Sequence, residues 1–348
     1  MSRVGRVLRP GIATTLKQRK VAPTPMASDT IHRVSVVIPI YGNAASLPEL
    51  FERLESVARQ VQEMDVELEA VFVDDGSADC SFSLISEFRS RSPISVTAIR
   101  LSRNFGGVNA IKVGLRYATG GAAVIMAADL QDPPEQLPMM IAEWLEGHSF
   151  VVCERSTRSR EDGFIVRITS RAYHAVVRWL IIPQYPPGGF DMMLVDRQIM
   201  EYLRDSAKAM YPQILVLWLG FEPRILYYDR PSRPHGRSQW STKKRVAAFS
   251  DVLFGYSSAP IQAATLVGAF VAASSLAFAC VVLVARLTGS TTVPGYAVLA
   301  ILISSLSGLI LIILGVLGQY IWRIYDEISG RPDAVVAVEL LADAPVAD

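Results

Sequence analysis

Two stretches in the last third of the chain constrain it most. Residues 261–285 (IQAATLVGAFVAASSLAFACVVLVA) and residues 287–322, ending in LILIILGVLGQYIW, hold no charged side chain. A bilayer core asks for about 20 apolar residues per helix, so the two runs read as two spans, joined by the polar turn LTGSTTVPG. A pair of buried core helices would satisfy the same composition, but runs this long and this close together favour the membrane. The apolar share of 51% and the mean hydropathy of +0.30 are therefore concentrated rather than spread. Lys243, Lys244 and Arg245 precede the first span and Arg323 follows the second, while the turn carries only Arg286 at its edge. The positive-inside tendency then puts both ends, and the large N-terminal part, on the cytoplasmic side of the plasma (inner) membrane, as a multi-pass protein.

Elsewhere the charges nearly cancel, 34 basic against 33 acidic residues, which gives no electrostatic footprint for nucleic acid. The three cysteines, Cys80, Cys153 and Cys280, form no CxxC pair and are odd in number. That argues against a disulfide framework or a zinc site and casts them as packing residues. Residues 1–27 carry six basic residues and no acidic one; without an apolar h-region this is a disordered basic tail rather than a secretory signal. The last stretch, DAVVAVELLADAPVAD, reads as a frayed tail.

Between these ends the pattern alternates as an α/β fold does. VSVVIPI (34–40) is a continuous apolar run of strand length, suited to a parallel strand buried on both faces. LPELFERLESVARQV has helical spacing, LEAVFVDDGS is a strand ending in two acids and a turn, FSLISEFRS is a helix and ISVTAIRL a strand. VNAIKVGLRYATG is a helix closed by Gly120, and AAVIMAA is a fourth strand. Right-handed crossovers make these strands parallel, with their C-terminal ends on one edge, where open α/β sheets bind ligands. Four polar loops meet that edge: PIYGN, VDDGS, RLSRNFGG and DLQDPPE. No GxGxxG follows the first strand and no GxxxxGK[ST] occurs, so a glycine-loop phosphate cradle is not expected. A metal and arginines would have to hold phosphate instead.

VSVVIPIYGN, VFVDDGSADCS, LSRNFGG and DLQDPPE, in this order and spacing, resemble the family-two glycosyltransferases. The apolar hairpin narrows the resemblance to polyprenyl-phosphate glycosyltransferases and dolichol-phosphate mannose synthase, over about residues 33–325. It implies a nucleotide-diphospho-sugar transferase fold (GT-A, Rossmann-like) followed by a C-terminal two-helix transmembrane hairpin. It also implies inverting transfer of a single sugar from a UDP- or GDP-linked donor to a polyprenyl phosphate, with Mg²⁺ or Mn²⁺ as cofactor and a homo-oligomer as a possible assembly.

Carried over residue by residue, Pro39 and Tyr41 would line the nucleoside pocket, Asp74 or Asp75 would face the base or ribose, and Arg103 would belong to the same donor site. Asp129 and Gln131 would hold the divalent cation on the diphosphate. YPPGGFDMMLVDRQIM, anchored on Asp196–Arg197, puts Asp191 at the family's active-site aspartate. YDRPSRPHGRSQWSTKK matches the family's Arg–x–x–Arg–x–x–Gly–x–Ser pattern, placing Arg230, Arg233, Arg237 and Ser238 on phosphate, where arginine forks bind well. In CERSTRSREDG, Arg158 and Arg160 are candidates for the acceptor phosphate, Arg158 foremost.

The chain departs from the family at several points. The usual acid–Ala–acid before LQD is Ala127–Ala128–Asp129 here, so one cation ligand is missing. Asp129 and Gln131 could suffice with phosphate oxygens, or Asp132 could be recruited, or metal binding could be weak. Phe190 stands where glycine is usual, GNAAS replaces the Asn–Glu–Glu after the tyrosine, and Gln239 replaces the lysine after Ser238.

The expected organisation is a basic tail (1–30), a cytoplasmic catalytic domain (31–240), an interfacial amphipathic region (241–259), two spans within 260–323 (about 260–286 and 295–322) and a C-terminal tail (324–348). In the interfacial region Val246, Phe249, Leu253 and Phe254 recur at helical spacing beside basic residues. A processive polysaccharide synthase would show a Gln–x–x–Arg–Trp motif and more spans. A catalytically degenerate sugar-nucleotide sensor or scaffold is the other alternative, raised by Ala127.

Overall fold

The computed structural model describes residues 32–155, 189–206, 210–228, 252–288 and 295–342, with 175, 177, 178, 182, 183, 185, 186, 249 and 250 between them. Among the described residues, eight strands form one mixed sheet: β1 (His32–Ile40), β2 (Val66–Asp74), β3 (Ser95–Leu101), β4 (Ala122–Ile125), β5 (Phe150–Arg155), β6 (Phe190–Asp196), β7 (Arg224–Tyr228) and β8 (Val336–Leu340), in the order β7-β5-β6-β4-β1-β2-β3-β8. The first four strands are parallel where they pair, as the crossover argument requires. β6 runs antiparallel to both β4 and β5, and β7 runs parallel to β5. β4 leaves the ladder at Ile125, earlier than the apolar run suggests.

Helices α1 (Leu47–Gln62), α2 (Ser81–Arg91) and α4 (Leu137–Leu145) contribute to an apolar cluster with β1 and β2, where Phe51 stacks on Phe88 with ring centroids 4.0 Å apart. Helices α3 (Gly107–Tyr117), α5 (Arg197–Arg204) and α6 (Pro212–Trp218) contribute to a second cluster. On α3, a Cβ at Gly114 would meet Val37 Cγ1 at 2.4 Å, so the close approach of this helix to β1 requires glycine. Asp196 caps α5 by accepting from Ile199 N at 2.9 Å.

The apolar runs form α7 (Ala259–Leu287) and α8 (Tyr296–Ile328). Within them Ala259–Phe278 and Ser305–Ile328 are long and apolar enough to cross a membrane, and neither is buried inside the protein. The described part of the expected interfacial region meets protein: Val252 is buried in the second cluster, and the Phe254 ring meets Tyr320 of α8 edge-on at 5.5 Å. Tyr256 donates to Tyr211 O and Tyr320 to Ser257 O, tying residues 256–257 to the sheet domain on one side and to α8 on the other.

Two expectations need correction. Residues 336–340, which the sequence pattern places in a frayed tail, form β8, because alternating Val336, Val338 and Leu340 can complete the open edge of β3. Among the cysteines only Cys153 is buried; Cys80 precedes α2 and Cys280 lies on α7, both exposed.

Candidate active site

The four loops are joined to one another by hydrogen bonds at the C-terminal edge of the parallel strands. After β1, Gly42 N donates to Ser77 Oγ at 3.0 Å and Asn43 N to Ser81 Oγ at 3.1 Å, linking the first loop to the second. Ser46 Oγ donates to Ala128 O at 2.8 Å, linking the first to the fourth. Pro39 is half-buried at the end of β1, and Tyr41 is 41% exposed just beyond it.

Asp74 and Asp75 both turn inward. Asp74 is fully buried; it accepts from Ser77 N at 3.0 Å and lies 3.4 Å from Arg100 Nε. Asp75 accepts from Phe105 N at 2.7 Å and Gly106 N at 2.9 Å, one on each oxygen. Burial pushes its carboxyl above the ordinary value, partly countered by those two donors. Gly76, at φ +70, packs so closely that a Cβ would come within 2.6 Å of the Arg103 carbonyl carbon. The second loop thus clamps the third. Arg103 is left exposed with its guanidinium 4.1 Å above the Phe105 ring. As the chain stands, the two acids serve loop geometry, and contact with a base or ribose stays a proposal.

Asp129 and Gln131, both half-buried, flank Leu130, a non-glycine residue at φ +60. Asp129 Oδ1 accepts from Gln131 N at 3.2 Å across this turn. A buried leucine in the left-handed region costs roughly 1–2 kcal/mol, and such strain concentrates at functional turns. Asp132 is fully buried and accepts from the Tyr228 hydroxyl, so it is drawn into the protein wall rather than to the rim. Half-buried Ala127 supplies no side-chain oxygen. The groups that could hold a cation at this turn are one carboxylate and one amide, both hard, which would suit an ion that keeps several waters and shares substrate phosphates. Among the described residues, Glu143, Glu146 and His148 also lie close enough together to suggest a ligand group; Glu143 is already engaged by Arg224 at 2.9 Å.

The antiparallel register, Ile125 opposite Met193, brings the N-terminal end of β6 to this same rim, with Asp191 exposed there. Arg155 and Tyr228, the last residues of β5 and β7, are paired in register. Arg158, Arg160, Arg230, Arg233, Arg237 and Ser238 lie outside the described residues. Sequence reasoning missed the Tyr228–Asp132 bond and the strained Leu130; no local pattern signals either.

A mixed sheet of this order, with an acid and an amide beyond the ends of its parallel strands, is that of a GT-A-like domain. The model of "Glycosyl transferase family 2" matches residues 35–203, from β1 through most of α5. An uncharacterized glycosyltransferase of Synechocystis is 32% identical over 301 residues, covering 86% of this chain and 93% of that one. A prophage-derived bactoprenol glucosyl transferase of Shigella flexneri is 30% identical, covering 87% and 97%. The undecaprenyl-phosphate 4-deoxy-4-formamido-L-arabinose transferase of Proteus mirabilis is 29% identical, covering 87% and 93%. The chain belongs to glycosyl transferase family 2.

Proposed function

We propose that this protein transfers one sugar from a UDP- or GDP-linked donor to a polyprenyl phosphate at the cytoplasmic face of the plasma membrane. The observation that carries this reading is the union, in one chain, of the family-two rim with two span-length helices. Relatives named for bactoprenol and undecaprenyl phosphate share that length almost end to end.

A phosphate monoester has a second pKa near about 6, so the acceptor is largely a dianion at neutral pH and needs little help from a base. The work left to the protein is to bring two anionic groups together and align them. Tyr41, Pro39 and Arg103 line the donor side. Arg158, Arg160, Arg230, Arg233, Arg237 and Ser238 compensate phosphate charge on the acceptor side. Asp191 orients sugar or acceptor and takes the last proton when the phosphate arrives as a monoanion. Mg²⁺ or Mn²⁺, held by Asp129 and Gln131, would supply charge stabilisation on the departing diphosphate. A single displacement inverts the anomeric centre.

The test is a donor screen with membranes, undecaprenyl phosphate and either Mg²⁺ or Mn²⁺, following radiolabel into the organic phase. One sugar per lipid supports the proposal; a growing polymer supports a processive synthase instead. No product with any donor would leave a degenerate sensor or scaffold. Asp191→Asn is expected to lose turnover with donor binding intact, and unchanged turnover would remove Asp191 from the mechanism.

A further inference from the structure

The segment that follows α8 returns to the catalytic domain and grips both elements that hold the third rim loop. Asp333 Oδ2 accepts from Lys112 Nζ at 2.6 Å and lies 3.6 Å from Arg116 Nη2, both on α3. The Lys112 side chain is 1% exposed and also donates to Ser206 O at 2.5 Å. Ser102 N, at the start of the loop, donates to Val335 O at 2.9 Å. β8 then pairs antiparallel with β3, Tyr117 donates to Glu339 Oε2 at 2.8 Å, and Arg89 Nε donates to Leu341 O at 3.0 Å.

We propose that residues 333–342 are a positioning strap for loop 102–106, with Asp333 its main anchor. The loop runs from the end of β3 to the start of α3. Ser102, Arg103 and Asn104 are exposed, so its placement is set by its two ends and by the Asp75 clamp. The strap fixes both ends, β3 through β8 and α3 through Lys112. Covering an open sheet edge needs only the strand pairing. A carboxylate reaching past the edge to a buried lysine on the helix behind the loop goes further, and it makes the docked arrangement strongly preferred, since a buried charge without its partner is costly. Because the strap begins where α8 ends, the donor side of the rim is held by the part of the chain that leaves the membrane helix. The inference rests on the proposed donor role of this loop.

The test uses the full-length protein in lipid nanodiscs. Asp333→Asn is expected to speed hydrogen exchange in residues 102–107 while residues 36–45 keep their wild-type rates. In turnover it should raise donor KM by roughly fivefold to tenfold, with kcat at saturating donor within about twofold and lipid-phosphate KM unmoved. Asp333→Glu should recover part of both effects. Unchanged exchange at 102–107, an equal rise at 36–45, or a fall in kcat without a donor-KM change would overturn the proposal. If Asp333→Asn fails to accumulate, Lys112→Met combined with Asp333→Asn removes the buried charge together with its partner and is read the same way. Should no donor support transfer, the exchange measurement still decides the strap, so its failure and the failure of the proposed reaction stay distinct.

Discussion

The Tyr228 hydroxyl donates to Asp132 Oδ1, joining the last residue of β7 to the loop after β4 with both side chains buried. This bond engages the second acid of DLQDPPE within the protein wall. Tyr228→Phe leaves a buried acceptor without that donor, a loss of about 1–3 kcal/mol. Thermal unfolding in detergent should show a Tm several degrees lower, with Mn²⁺ binding retained. Lost Mn²⁺ binding at an unchanged Tm would instead make Asp132 a ligand.

Cys153 shares this buried corner. Burial and the nearby Asp132 carboxylate push its thiol up to about 12, so almost no thiolate exists at neutral pH and the sulfur is inert. Treatment of the folded protein with N-ethylmaleimide at pH 8 should label the exposed Cys80, with Cys153 modified only after unfolding, as read by peptide mass spectrometry. Labelling of Cys153 at a rate like that of Cys80 would contradict the buried environment.

Leu130 combines a positive φ of 60° with a side chain 1% exposed. Leu130→Gly relieves roughly 1–2 kcal/mol of backbone strain but forfeits burial worth about 2–5 kcal/mol when the cavity is counted. Burial wins, so the variant should unfold at lower temperature. A higher Tm would mean that strain dominates the turn.

Much of this was legible in the sequence because it rests on local pattern. The apolar runs of β1 to β3 and the loops after each strand follow from periodicity, and the two long helices follow from uncharged length. The remainder depends on contacts between distant residues. β8 reads as a tail because its alternation becomes meaningful only beside the open edge of β3. Lys112 looks like a surface residue of an amphipathic helix until Asp333, 221 positions later, covers it. Asp74 and Asp75 look like ligands in DDGS, yet Asp74 accepts from Ser77 N within the motif itself and lies beside Arg100, and Asp75 accepts from the Phe105 and Gly106 amides of the third loop.

Asp75 gives a pH signature. Its folded carboxyl lies above the ordinary 3.8 because burial disfavours the charge. Between the ordinary and the raised value the folded state binds more protons than the unfolded state, so the group's contribution to stability is greatest below 3.8 and falls as pH rises through the folded value. Asn does not titrate there. The stability of the wild type relative to Asp75→Asn should therefore decline as pH rises across this window and then level off. A rising difference would reverse the assigned shift. At neutral pH the variant also loses one of two acceptors for Phe105 and Gly106, which should loosen the loop and raise donor KM.

Ala127 is where the chain departs from the acid–Ala–acid pattern, and it is half-buried two residues before Asp129. If Asp129 and Gln131 hold the cation with phosphate oxygens, adding a second carboxylate should improve a working site. Ala127→Asp should tighten Mn²⁺ by roughly tenfold, since ligand charge count tunes affinity; free Mn²⁺ counted by electron paramagnetic resonance measures this without turnover. Without metal the new charge repels Asp129, so the variant should unfold earlier than wild type in chelator and gain more Tm when Mn²⁺ is added. Unchanged Mn²⁺ affinity together with an unchanged response of Tm would place the cation away from this turn.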